Sequence, residues 1–177
     1  MQDIFDELEF ALRDRNPELA ELLAPGLQAD QIEVSLRTVG IRAGFEPIIR
    51  LFGWRNGLKP VSFQDAGDTA IFPELAFHFL NLDVMIAHFR GLREGFILHP
   101  NSEAAEGRYF PLFYDWSTCY LALDLSSHSH RIILFDPESE DLVCEAYSAF
   151  DGFIADAVRA NQENDLLMCF KTHRIKP

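Results

Sequence analysis

Only three of the 177 residues are cysteine, at positions 119, 144 and 169, and no two of them stand as a Cys-x-x-Cys pair. That count and spacing exclude a disulfide framework and a paired-thiol zinc or redox motif, and read instead as buried free thiols. Long apolar runs are missing too: nothing approaches the ~18–20 uncharged apolar residues that a membrane-spanning helix requires. The opening MQDIFDELEF carries acids where a secretory signal has basic and then purely apolar residues, so a cytoplasmic protein with no membrane partner is expected. There is no internal repeat, no low-complexity tract and no Gly/Ser- or Pro-rich linker, and a single domain over residues 1–177 is expected. Gly91 with Gly95, and Gly40 with Gly44, do not form a phosphate cradle of the GxxxxGK or GxGxxG type, so no nucleotide and no other cofactor is expected.

Positive charge is scarce. With 28 acidic and 15 basic residues the formal charge is −13, which repels nucleic-acid backbones and attracts basic partners. Between Ile132 and Val158 there is no lysine or arginine, while Asp136, Glu138, Glu140, Asp141, Glu145, Asp151 and Asp156 all fall there. Arg37, Arg42, Arg50, Arg55 and Lys59 occupy a span in which Glu46 is the single acid. The two regions are expected to face one another in part or to present opposite faces, the plain alternative being a solvated surface.

Against those absences stands a clear order of elements. Residues 3–13 put Ile4, Leu8, Ala11 and Leu12 on one helical face, and Asn16-Pro17-Glu18 opens a short helix that Gly26 is expected to close. A third helix is expected from Asp30, as cap, to Val39, with Gly40 ending it. Residues 45–53 are apolar nearly all round, the mark of a buried helix, and are followed by Trp54-Arg55-Asn56-Gly57, where Asn-Gly favours a tight turn. Gly67, Pro73 and Pro100 punctuate residues 58–109, whose one clear helix begins after Asp83 as cap with Val84, Ala87, His88 and Leu92 sharing a face; Phe72, Phe77, Phe79 and Phe89 are expected inside.

From Thr118 the period changes to two. Cys119, Leu121, Leu123 and Leu125 oppose Tyr120, Ala122 and Asp124, as in a strand covered on one side. The polar SSHSH turn, a strand at 131–136, a reversal at 137–141 and a strand at 142–147 complete an antiparallel meander, seated by Phe110, Pro111 and Phe113. In the closing helix Phe150, Phe153, Ile154, Ala157 and Val158 share one face, and Ser148 with Asp151 has capping-box spacing.

Three stretches carry a resemblance: PGLQADQIEVSLRTVG (25–40), IIRLFGWRNG (48–57) and YFPLFYDWSTCYLALDL (109–125). In form and order they resemble the SUKH superfamily, the Smi/Knr-type regulators and bacterial immunity proteins, over roughly residues 17–160. The departures are Tyr109 where many members have tryptophan, Trp116-Ser117-Thr118 in place of a glycine-rich turn, and Ile41-Arg42-Ala43 in place of Leu-Pro. The resemblance implies an α+β domain with a central, mostly antiparallel sheet packed by N-terminal helices and a C-terminal amphipathic helix. It implies no catalytic residues, and a role as antidote to a secreted toxin by direct binding.

The residues offer competing chemistry. His128 and His130 form an H-x-H that Asp124 and Asp136 could join as metal ligands across the hairpin, against the simpler reading of a solvated turn. Cys119, His88 or His99, and Asp115 have the chemistry of a nucleophilic centre, and Asp115, Asp124 and Glu145 that of paired glycosidase acids. Neither set has spacing that brings its members together, so no catalytic residue and no metal is expected. Trp116 beside Asp115 fits an interface anchor, since aromatics dominate binding hot spots. The expectation is a non-enzymatic domain that meets a basic toxin through Asp115, Trp116, Asp136, Glu138, Glu140, Asp141 and Glu145. The alternatives are a regulatory or scaffolding domain for a cellular protein and, behind it, a small hydrolase.

Overall fold

The computed structural model describes residues 3–59, 77–94, 106–115, 118–137, 143–165 and 167. Phe72 and the punctuation at Gly67, Pro73 and Pro100 lie outside them. Helices α1 (Ile4–Arg15), α2 (Pro17–Leu22), α3 (Ala29–Thr38) and α4 (Glu46–Trp54) come first, interleaved with the short strands β1 (Leu23–Pro25) and β2 (Arg55–Leu58). Then follow α5 (Leu82–Glu94), the strands β3 (Tyr109–Tyr114), β4 (Tyr120–Asp124), β5 (Ile132–Phe135) and β6 (Val143–Tyr147), and α6 (Phe150–Glu163). Strands β1 and β2 pair antiparallel, and β3 to β6 form a four-stranded antiparallel meander in chain order, so the α+β class and the mostly antiparallel sheet are as expected.

Helix boundaries follow local hydrogen bonding. Asn16 caps α2 as predicted, its Oδ1 accepting from the Leu19 amide at 3.0 Å, with Pro17 tolerated in the first turn. Other caps differ. Helix α3 starts at Gln28, whose amide donates to Gln31 Oε1 at 3.1 Å, and Asp30 sits inside the first turn. Asn81, not Asp83, accepts from the Val84 amide at 3.0 Å at the start of α5. Ser148 makes no box with Asp151, because α6 begins one residue later, after Ala149, without a side-chain cap. At the end of α3, Gly40 (φ 82°) donates to Arg37 O and the Ile41 amide to Leu36 O, the paired bonds of a Schellman motif.

Two expectations about glycine are corrected. Helix α2 stops at Leu22, four residues before Gly26; Gly26 instead lets the chain pass so close to α4 that a Cβ there would lie 1.8 Å from Gly53 O. Asn56-Gly57 is no tight turn but part of β2. Gly57 has the expected positive φ (71°), the Leu58 amide donates to Phe79 O at 2.8 Å, and Asn56 Oδ1 accepts from the Leu82 amide at 2.9 Å. The segment is wedged between β1 and residues 79–82.

The main core is closed by aromatic rings. Phe5, Trp54, Phe79, Phe113, Phe153 and Phe150 form a circuit with centroid spacings of 5.3 to 6.4 Å, joining α1, α4, β3 and α6. Such pairs add to the area they bury through favourable edge and offset geometry. All five residues on the predicted α6 face are buried, as are Phe77, Phe79 and Phe89. In α5 the buried face is turned by one position from the predicted one: Met85, Ile86, Phe89 and Leu92 face inward while Val84 and Ala87 are exposed, with the Phe89 ring packed at a tilt on Phe110 of β3, 5.4 Å between centroids.

The sheet is covered on both faces, where cover on one side only was expected. Leu121 and Leu123 enter the main core, whereas Tyr120 and Ala122 enter a second cluster with Leu92, Tyr109, Ile133 and Phe135. There Tyr114, Tyr120 and Phe135 stack at 4.8 and 5.3 Å. A bulge between Pro111 and Phe113 turns Phe113 onto the same face as Phe110 and Leu112, and Pro111 is tolerated because β3 is an edge strand of the meander.

Candidate functional site

Pairing register places the predicted residues. Tyr114 pairs with Tyr120 and Tyr120 with Phe135, so Asp115, Cys119 and Asp136, each one residue past that rung, meet at one end of the sheet. The Asp115 amide donates to Cys119 O at 3.2 Å and its Oδ1 accepts from the Cys119 amide at 2.9 Å, tying the end of β3 to the start of β4. Trp116, Glu138, Glu140 and Asp141 lie outside the described residues; in sequence Trp116 follows Asp115, and the three acids fall within five residues after Asp136. Glu145 stands apart from that end, opposite Ile133 on β6, and meets Arg131 at 3.3 Å.

The acidic stretch is partly neutralised from within. Asp151 meets Arg50 at 2.6 Å, which is where the arginine-rich and acid-rich regions face one another. Arg50 also lies over the Phe5 and Phe150 rings, at 5.6 and 5.7 Å. Asp156 is buried and accepts from Tyr147 and Arg159.

Chemistry at the Asp115 end is muted. Burial pushes the Cys119 thiol up to about 11, and the charges of Asp115 and Asp136 act in the same direction. A thiol so placed stays protonated at neutral pH and is a poor nucleophile. Alkylation of Cys119 by iodoacetamide at pH 8, followed by peptide mass mapping, is therefore expected to run about a hundredfold slower in the folded protein than in denaturant. Equal rates in the two conditions contradict the buried, acid-flanked thiol.

His88 does not serve Cys119. Its Nδ1 lies 2.9 Å from the Tyr120 hydroxyl, and Tyr120 belongs to the cluster on the other face of the sheet. Burial lowers the His88 pKa, which favours the neutral ring. His99 lies outside the described residues. His78, 3% exposed, is lowered by burial and drawn partly back by Asp115, so that carboxylate influences both His78 and Cys119.

Asp124 takes a structural part. It is 0% exposed at the opposite end of β4 from Asp115, too far along the strand to form an acid pair with it. Burial alone raises its pKa, but hydrogen bonds from Arg108 (3.2 Å), Ser126 (2.6 Å) and Arg131 (2.6 Å) outweigh that and hold the carboxyl well below the usual range. His128 is exposed and His130 sits at φ 55° in the neighbouring turn; among the described residues no three histidine, cysteine, aspartate or glutamate side chains are grouped as metal ligands. No helix among the described residues is long and apolar enough to cross a membrane.

Sequence reasoning passed over Arg90 and Arg93, on the polar side of α5, and gave Arg42 no role beyond its charge. Their grouping depends on how α3 and α5 dock, which no local pattern reports. Compared with models of protein families the chain matches none, and no curated protein matches it.

Proposed function

We propose that this chain is a non-enzymatic protein-binding domain of the SUKH type, an immunity protein that neutralises a basic secreted toxin by occupying its surface. The observation that carries the reading is the strand register, which sets Asp115 and Asp136 at the same end of the sheet, one on either side of Cys119. Trp116 follows the first in sequence, and Glu138, Glu140 and Asp141 follow the second. An acidic end of this kind speeds encounter with a cationic partner, and an aromatic anchor within it supplies affinity. The muted thiol and the order of helices before a meander support the same reading. Asp151 and Asp156 belong to the fold, because arginines already hold them, and Glu145 is the weakest member of the binding set for the same reason.

The test is charge reversal. In Glu138→Lys/Glu140→Lys/Asp141→Lys, association with a basic toxin domain that the parent protein binds is expected to slow by about tenfold or more at low ionic strength, with the unfolding midpoint unchanged. An unaltered association rate removes this end of the sheet as the binding face. Failure of the chain to protect cells expressing that toxin removes the immunity reading itself.

A further inference from the structure

Among the described residues, Arg13, Arg37, Arg50, Arg55, Arg108, Arg131 and Arg159 each meet a carboxylate. Arg42, Arg90 and Arg93 meet none, and all three line one groove. Arg90 and Arg93 border a cavity of about 490 Å³ with Thr38, and Arg93 and Arg42 border an adjoining one of about 240 Å³. The two share Val39, Gly40 and Arg93. Among the described residues of a protein of charge −13, these three guanidiniums that meet no carboxylate are gathered in one place.

Arg93 is held ready between the two cavities. Its Nη1 donates to Val39 O at 2.7 Å, its guanidinium lies 5.7 Å over the Phe89 ring, and its stem is so close to Gly107 that a Cβ there would come within 3.1 Å of it. One of its five donors is thereby used and the others remain for a ligand. The negative end of α3 does not oppose an anion here with bare carbonyls, since the Schellman bonds and Arg93 already cover them. Arg90 reaches Thr38 Oγ1 at 3.4 Å, and Arg42 makes no hydrogen bond or ion pair among the described residues. Glu94 and Glu106 also line the groove, so three positive charges face two negative ones.

We propose that this groove binds a small phosphate-bearing anion, a diphosphate or phosphate ester, gripped by Arg42, Arg90 and Arg93. Planar guanidiniums match the oxygens of phosphate in paired hydrogen bonds, and the larger cavity has the size of a small-molecule site. A small anion answers the local arginines without bringing an extended negative surface against the acidic remainder of the protein, as an acidic protein or an anionic membrane must. The site is separate from the sheet end assigned to the toxin and stands or falls independently of it.

Inorganic pyrophosphate titrated at constant ionic strength, followed by amide chemical shifts, is the direct test. Saturable shifts confined to Gly40, Arg42, Arg93 and Gly107 are expected, with affinity weakened by about tenfold or more in Arg42→Gln/Arg90→Gln. That variant spares Arg93, and an unchanged denaturation midpoint verifies that it is folded. Shifts that never saturate, shifts spread over the other arginines, or unchanged affinity in the variant each overturn the site. Sedimentation with phosphatidylserine vesicles separates the sources of phosphate: vesicle binding without saturable pyrophosphate binding overturns the small-ligand assignment.

Discussion

Gly57→Ala is expected to cost about 4 kcal/mol or to prevent folding, because the added methyl meets backbone at a position that also demands a positive φ. A Cβ at that position falls 2.4 Å from both Leu80 C and the Asn81 nitrogen, and φ is 71°, a region that alanine enters only with strain. Relief by movement is blocked on both sides. Leu58 is bonded to Phe79 O, Lys59 to Leu22 O, and Asn56 to the first turn of α5, so displacing residue 57 pulls apart β1–β2 and the start of α5 together. Gly91→Ala and Gly152→Ala are the matched controls: a Cβ at either meets nothing within 4 Å, both lie in helices, and each is expected to leave stability unchanged or raise it by up to about 1 kcal/mol. Chemical denaturation of the three variants measures the contrast, and a Gly57→Ala protein as stable as its controls would falsify the close backbone contact.

Removal of Asp124 is the second large effect. Asp124→Ala leaves Arg108 and Arg131 facing a cavity at the root of the β4–β5 hairpin, and breaking a buried ion pair from one side costs about 3–5 kcal/mol. Both arginines are about one-third exposed, so water recovers part of that and about 3 kcal/mol is expected. The pH dependence has a definite sign. The folded carboxyl titrates below its unfolded counterpart, so the folded state holds fewer protons in the window between the two. The stabilisation is complete above the unfolded pKa of about 4 and is lost progressively as pH falls through that window. In Asp124→Asn the slope of unfolding free energy against pH below about pH 4 is expected to flatten by as much as one proton. A slope equal to that of the parent protein assigns the acid sensitivity elsewhere, Glu9 being next in line because Arg13 and Arg55 hold its carboxyl down against burial.

Both sites illustrate where a sequence stops being informative. Gly57 is legible as a positive-φ position because Asn-Gly announces one, yet the reason it must be glycine is the backbone of residues 80 and 81, more than twenty positions away. Asp124 looks like the solvent side of an alternating strand. Only the docking of Arg108 and Arg131 turns it into a buried, charged tie. The candidate binding end divides in the same way. The run of acids after Asp136 is visible in the sequence, but the placing of Asp115 and Asp136 on either side of Cys119 comes from the strand register and the pairing of Asp151 with Arg50 from helix docking, whereas Asp156 meets Arg159 within one turn of α6.

The sequence by itself determined what depends on near neighbours. The apolar stripe of α6 and the two-residue period of the meander are legible because a helix repeats every 3.6 residues and a strand every two. The start of α2 is legible because asparagine and proline act within one turn. Tertiary structure alone decided which side of α5 faces inward, why Phe113 joins Phe110 across a bulge, that the sheet is buried on both faces, and that Arg42, Arg90 and Arg93 share one groove without meeting a carboxylate. Each of those outcomes rests on contacts between residues far apart in the chain, and burial, unlike periodicity, belongs to the pair of surfaces that meet.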